Sequence, residues 1–448
     1  MQELSGAALP ILWRTQPPSH EYENARCRVF NGRQPDNFPL AIVKATTVDH
    51  ITAAVRLAVK LDVRIAIRSG GHSLSCWTMR HDAILIDLVD FRHLSYDEGK
   101  DEVQASPSTL AEDLITFLAK KQRFFPVGHS GDIGLGGYLL QGGIGINSRG
   151  YGYACEYITG LDIVTADGEI KHCDEKEGSD LYWAARGAGP EFPAIVTRFY
   201  LKTRPLLPVY KQSRYVWPVI MYERIFSWLE ELLTSLNEDV EVAMFRFVLP
   251  QPNQPGLVLH ARAFGDSDED VWEKLKPIIK THPPGAFLAD DFVNTNFSEI
   301  YDLEKDNTPR GARYFSDSVF LKPGTDIVAI CKEMFTGLKH PHAMASWIPM
   351  KTAARRTLPD MAMSIYSDHV VLLLTRYEDP GEDQEQMSWI IDYMRKLEPF
   401  IQGTFLGDAN VSDRPSHYWS EEARERVLNV GREWDPSGRI RGIVLRDP

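Results

Sequence analysis

Arg68-Ser69-Gly70-Gly71-His72-Ser73 is the segment of this 448-residue chain whose residue types most directly suggest chemistry. Adjacent glycines leaving a strand let the backbone approach a ligand closely and turn its N–H groups toward phosphate oxygens. Arg68 or Ser69 would add a direct pyrophosphate contact, and His72, at the tip between Gly71 and Ser73, is placed to touch the ligand. A second segment, from Gly128 to Gly152, holds ten glycines, Gly131, Gly134, Gly136, Gly137, Gly142 and Gly143 among them. So many glycines cost conformational entropy that tight packing or a ligand must offset. Ile133, Leu135, Leu139, Leu140, Ile144 and Ile146 are interleaved with them, so the stretch reads as backbone laid against something flat. It is not a Rossmann fingerprint: the nearest match, beginning Gly134-Leu135-Gly136, lacks the strand before it and the helix after it that such a site requires.

The elements that must hold these loops follow from hydrophobic period. Residues 40–45 read as a buried strand, Thr46 and Thr47 as the start of a helix with Ile51, Val55 and Val59 on one face, and 63–67 and 83–88 as further strands. This is a βαβ-type unit with the first glycine loop at a strand end. A second unit runs to about residue 201, with strands over 161–165 and 194–201 and a helix over 180–186. Beyond residue 205 strands are expected over 240–249, 257–264, 318–321, 343–348 and 370–377. Helices near 225–236, 269–279, 325–338 and 384–397 alternate with them, which describes an α+β domain whose antiparallel sheet is covered on one face. The tail from 403 holds one strand, a helix over 421–433 and a turn at 435–438.

Composition narrows the function classes. A hydrophobic share of 43% and a charged share of 25% are those of a soluble globular protein. A net charge of −13 argues against nucleic acid or an anionic membrane as partner. Five scattered cysteines contain no Cys-x-x-Cys pair, and the histidines show no helical His-x-x-x-His, so no metal site is expected. No Gly-x-Ser-x-Gly elbow offers a hydrolase nucleophile. The opening Met-Gln-Glu-Leu-Ser-Gly lacks a basic n-region and no run is long enough to span a membrane, so the expected location is cytoplasmic.

The order of several motifs resembles the berberine-bridge-enzyme-like branch of the vanillyl-alcohol-oxidase (PCMH-type FAD-binding) flavoprotein superfamily. They are residues 68–73; Gly131 to Gly152, ending Ser148-Arg149-Gly150-Tyr151-Gly152; Val164 to Gly168; Asp180 to Gly189; Ile195-Val196-Thr197; and Trp434-Asp435-Pro436. The resemblance implies an FAD-binding domain over 1–205, an inserted substrate domain over 206–400, and a return of 401–448 to the FAD domain. Arg68 to Ser73, Ser130, Gly131, Gly134, Gly136, Gly137, Gly142, Gly143, Ile195, Val196 and Asn410 are the implied cofactor contacts. His72 matches the histidine that bonds to the flavin's C8-methyl carbon. Ser130 stands where many relatives carry a second, cysteine tether, which implies a single tether and a less oxidising flavin. The family's Tyr-x-Asn-Tyr is replaced by Asp408-Ala409-Asn410-Val411. Asn410 is kept and both tyrosines are gone, leaving Asp408 either as a replacement base or as a solvated loop carboxylate. Tyr151 is the other catalytic candidate.

These features imply an FAD-dependent oxidase or dehydrogenase that takes hydride from a small secondary-metabolite-like molecule, with dioxygen as acceptor. Two alternatives use the same scaffold: an oxidative or redox-neutral cyclase, and a flavin-binding protein without catalysis. In the substrate domain Phe245, Arg246, Arg313, Tyr314, Trp347, Tyr366 and His369 are candidate contacts, of which strand alternation turns half away from the cleft.

Overall fold

The computed structural model describes residues 9–248, 255–338, 340, 342–350, 356–409, 414 and 416–442. Its first sheet has four strands in the order Ile11–Trp13, Ala41–Lys44, Ile84–Asp87, Ile65–Arg68. The last three run parallel, with Ile84–Asp87 central. All four residues of that central strand are buried, as expected of a parallel sheet covered on both faces. The helix Val48–Leu61 makes the crossover. Thr47 caps its start by accepting a hydrogen bond from the His50 amide, and Asp62 ends it in the left-handed region. Ile51, Ala54, Val55 and Ala58 form its buried stripe.

A second sheet of five antiparallel strands has the order Leu94–Asp97, Glu102–Ala105, Ala194–Lys202, Ile158–Thr165, Ile170–Cys173. Its long central strands are those expected near 161–165 and 194–201. The third sheet is the largest, with eight antiparallel strands in the order 288–294, 209–218, 255–265, 240–248, 344–349, 369–377, 313–321, 401–403. Strict alternation sorts its two faces. Val240, Val242, Met244, Leu257, Leu259 and Ala261 pack in one core with the helices Tyr222–Leu233, Asp268–Thr281 and Asp383–Leu397, while Glu241, Phe245, Val258, His260 and Arg262 face the other way, into a cavity.

Several details depart from the sequence reading. The helix expected over 325–338 is two short ones, Ile327–Ile330 and Lys332–Thr336, joined at Cys331, whose backbone serves as cap for both. Strands Val209–Pro218 and Leu288–Asn294 and the helix Phe297–Asn307 were not foreseen. Ile401–Gly403 pairs with Arg313–Leu321 and so extends the large sheet past residue 400. Gly134 caps a six-residue helix, Leu135–Leu140, after an isolated bridge to Leu110. A helix is therefore present after Gly134, although no strand precedes it. Among the described residues no helix is long and apolar enough to cross a membrane, and no three His, Cys, Asp or Glu side chains gather as metal ligands. All five cysteines are free thiols.

Candidate active site

The two glycine loops meet backbone to backbone. A Cβ on Gly70 would lie 2.6 Å from the Gly134 amide nitrogen, and one on Gly134 would lie 2.7 Å from that of Gly70. Gly136 is held as closely, 2.7 Å from Ser69 Oγ by the same construction. Packing therefore explains these three glycines. Gly137 differs: its Cβ position opens on nothing within 4 Å, although the residue lines two adjoining cavities. Among the described residues no protein acceptor bonds the backbone N–H of Gly71, His72 or Ser73, three residues that line the same two cavities. Three unpaired amides and an empty space beside a glycine form a cradle of the kind phosphate oxygens fill. The residues present fit FAD.

One of the two cavities runs between the first two sheets, past Trp77, Arg80, Pro107, Gly189, Val196 and Ile440. The other is bounded by Phe30, His72, Ser130, Tyr138, Tyr314 and Asp408. It shares His129, Ile144, Glu304, Thr308 and Leu374 with a third, of about 760 Å³, under the open face of the eight-stranded sheet. The three form a continuous path from the βαβ unit to that sheet.

His72 sits at the middle of this path. Its ring stacks on Phe30 at 4.0 Å between centroids, and Phe30 stacks in turn on Tyr314. His72 Nε2 lies 3.0 Å from Asp132 Oδ1, and Arg310 holds the other carboxylate oxygen at 3.0 Å. Burial raises the Asp132 pKa, but the bond to His72 and the Arg310 charge outweigh it and hold the carboxyl well below its usual range. A carboxylate only accepts hydrogen bonds. His72 therefore carries a hydrogen on Nε2, which leaves Nδ1 as the ring nitrogen without a partner among the described residues.

Asp408 lies on the same cavity, in the turn after Leu406, with its backbone oxygen accepting a bond from Ser316 Oγ at 3.0 Å. Burial, followed by repulsion from Asp317 and Glu304, raises its pKa to about 6. Asp317 itself is locked to Arg414 at 2.8 Å. Carboxyls so perturbed, facing a cleft, are characteristic of functional sites.

The structure brings together Ser69, Gly70, Gly71, His72, Ser73, Ser130, Gly134, Gly136, Gly137, Val196 and Asp408 around this path. Other expected contacts lie off it. Arg68 is buried with its guanidinium turned back, 2.7 Å from Asp87 and bonded to the carbonyls of Ala25 and Arg26. Of the two residues expected to contact phosphate, only Ser69 lines the cavities. Arg68→Leu should then destabilise the fold, by at most roughly 3–5 kcal/mol, because it removes the buried partner of Asp87 and leaves only the half-exposed Arg28 at 3.3 Å to offset that charge, a loss read as a lower melting temperature. Gly131 packs under Tyr301, Gly142 beside Met363, and Gly143 against Tyr138 and Ala154. Ile195 faces the core behind the parallel sheet, because alternation turns Val196 to the cavity instead. Tyr151 packs on Phe124 with Arg204 over its ring at 4.1 Å and lines none of the three cavities. Asn410 lies outside the described residues.

Of the substrate-domain candidates, Phe245 and Tyr314 line the connected cavities. Arg246 and Trp347 sit on the helix side of the sheet, Arg246 bonded to the Leu338 carbonyl and Trp347 to His369. Arg313 pairs with Asp383, and Tyr366 packs against the central core. Sequence reasoning missed His129, Glu241, His260, Arg262 and Glu304, all in the wall of the large cavity. His129, next to Ser130 in a glycine stretch already singled out, was the one with a visible signal.

Comparison with known proteins agrees with this geometry. Residues 39–174 match the FAD binding domain family model. The chain is 75% identical over 447 residues to the FAD-linked oxidoreductase nodO of Hypoxylon pulicicidum, covering 100% of both chains. It is 50% identical to the FAD-linked oxidoreductase janO of Penicillium janthinellum, covering 98% of each. Among solved structures it resembles Physcomitrella patens BBE-like 1, with a TM-score of 0.84 at 17% identity over 98% of this chain and 97% of that one. On these identities the chain belongs to the FAD-linked oxidoreductases, and its fold is that of the berberine-bridge-enzyme-like protein.

Proposed function

We propose that this enzyme is an oxidase of a neutral, largely apolar organic molecule of secondary-metabolite type, acting in the cytoplasm. The observation that carries the reading is the continuous path on which the amide cradle, His72, Asp408 and the apolar cavity follow one another. FAD, when bound, supplies the hydride acceptor and passes the electrons on to dioxygen. The residues of this chain do the rest. Ser69 and the amides of Gly71 to Ser73 hold the pyrophosphate. His72, its hydrogen kept on Nε2 by Asp132, would hold the flavin by a single tether from Nδ1 to the C8-methyl carbon, an N–C bond that replaces one methyl C–H as a proton and two electrons leave, the electrons going to dioxygen. Asp408 takes the proton that a substrate hydroxyl or acidic carbon gives up as its hydride leaves. The aliphatic and aromatic wall excludes water from the reacting carbon and strengthens the electrostatics of the site.

The test needs no known substrate. Protein denatured in acid should keep its yellow colour on the polypeptide, and His72→Ala should release all its FAD under the same treatment. Free release from the wild type would refute the tether. Protein reduced with dithionite should reoxidise in air-saturated buffer within seconds and yield hydrogen peroxide; reoxidation over many minutes would place the electron acceptor elsewhere.

A further inference from the structure

His129, Glu241, Arg262 and His260 form a chain of polar side chains along one wall of the large cavity. His129 Nε2 lies 2.6 Å from Glu241 Oε1, which also accepts the Asn147 amide at 3.1 Å. Arg262 Nη1 stands 3.6 Å from Glu241 Oε2, and Arg262 Nη2 lies 3.2 Å from His260 Nδ1. The interior of the chain is internally compensated. Burial raises the Glu241 pKa, but His129, Arg262 and the Asn147 amide more than reverse this and hold it down at about 2, so its charge cancels that of Arg262. Arg214, in the same wall, is cancelled by Asp290 at 2.7 Å.

The two ends of the chain are not compensated. A guanidinium only donates, so His260 Nδ1 is an acceptor and the ring hydrogen sits on Nε2. Burial, then the charges of Arg262, Arg214 and His129, push the His260 pKa well below its usual value and keep the ring neutral. A carboxylate only accepts, so His129 carries a hydrogen on Nε2, and Nδ1 is the ring nitrogen left for a ligand. Neither His129 Nδ1 nor His260 Nε2 has a partner among the described residues. The wall around them is apolar, with Phe245, Phe247, Val258, Leu288, Ile348 and Leu372. The remaining charges of the lining are Arg149, whose guanidinium is taken up by the carbonyls of Leu236, Asn237 and Val240, and Glu304, Asp306 and Arg376, which gather at the end of the helix Phe297–Asn307, where Arg376 donates to the Asn307 carbonyl at 2.8 Å. His129 also lines the cavity that holds His72 and Asp408, whereas His260 lines only the larger one.

We propose that His129 and His260 are the specificity-determining pair of the cleft. His129 Nδ1 hydrogen-bonds a substrate hydroxyl, a group that both donates and accepts, at the flavin end, and His260 donates one to a substrate oxygen farther along. The substrate is therefore a large, neutral, apolar molecule bearing both groups, an inference that rests on the larger cavity being the substrate's.

Rigid saturated steroids supply the probes: one with a hydroxyl and a ketone at opposite ends, the hydroxyl-only and ketone-only analogues, and a steroid carboxylate. Binding to the FAD-loaded full chain is read as a change in flavin absorbance. The hydroxy-ketone should bind about tenfold tighter than either singly oxygenated analogue, the ratio 1.4 kcal/mol gives, and the carboxylate weakest of all. His260→Phe should erase the preference conferred by the ketone alone, and His129→Phe that conferred by the hydroxyl alone. His260→Gln, which keeps an N–H donor, should restore part of the ketone preference, and does so only if hydrogen bonding rather than packing is at issue. A yellow protein that binds none of the four, binds all equally, prefers the carboxylate, or keeps its preferences in the variants overturns the pair. A colourless protein overturns the flavin reading instead.

Discussion

Asp408→Asn should slow flavin reduction roughly 100- to 10,000-fold, the span attributed to a positioned general base, and should at the same time make the protein harder to melt at pH 8. Both effects come from one cause. Burial and the nearby carboxylates of Asp317 and Glu304 raise the Asp408 pKa to about 6. As a base the group must be ionised, so the wild-type rate climbs with pH to about 6 and then levels, and the Asn variant loses that inflection. For stability the sign is opposite. The folded chain keeps the Asp408 proton up to about pH 6, whereas the unfolded chain releases it near pH 4. Stability is therefore lost as pH rises between those values, and above them the buried charge costs roughly 3 kcal/mol. Asparagine removes that cost, so its melting temperature exceeds the wild type's at pH 8 and the advantage disappears at pH 4. Stopped-flow bleaching with any substrate that reduces the wild type, and melting curves at the two pH values, check the pair. A solvated loop carboxylate would move neither.

The same residue shows where sequence reading succeeds and where it stops. Asp408 was visible because it stands in a motif position where a tyrosine was expected. Its environment was not visible, because Asp317 and Glu304 reach it from a strand about ninety residues earlier and from a helix whose pattern went unread. Phe297–Asn307 has only Ile300 and Tyr301 buried, too little apolar stripe to stand out by periodicity. Residues 240–249 and 257–264 were read as strands, yet which half of each faces the cavity depends on a register that sequence alone does not fix. That is why Phe245 was named together with Arg246, and His260 not at all. Arg68 failed for a related reason. Adjacency to a glycine loop suggested phosphate, but the strand's alternation buries this side chain against Asp87.

The glycines themselves divide into two kinds that the sequence could not separate, and substitution should tell them apart. Gly134→Ala puts a methyl group 2.7 Å from the Gly70 amide nitrogen. The methyl is fixed to one backbone and the atom it meets belongs to the other, so the loops must part, at a cost of about 1–3 kcal/mol or more whether or not cofactor is present. Gly137→Ala adds the same methyl where nothing lies within 4 Å. The cofactor-free protein should fold unchanged, or slightly more firmly because alanine favours the helix Leu135–Leu140 by roughly 0.5–1 kcal/mol. The methyl then occupies space beside the unpaired amides, and FAD should be taken up far more weakly. Flavin-to-protein absorbance ratios on purified protein, with melting curves of flavin-free samples, separate the two. The expected pattern is a lower melting temperature for Gly134→Ala, and an unchanged one with a pale protein for Gly137→Ala. Full yellow colour in Gly137→Ala would mean that the open space beside this residue is not where the dinucleotide lies. The cradle would then have to be sought on the Gly71 to Ser73 side alone.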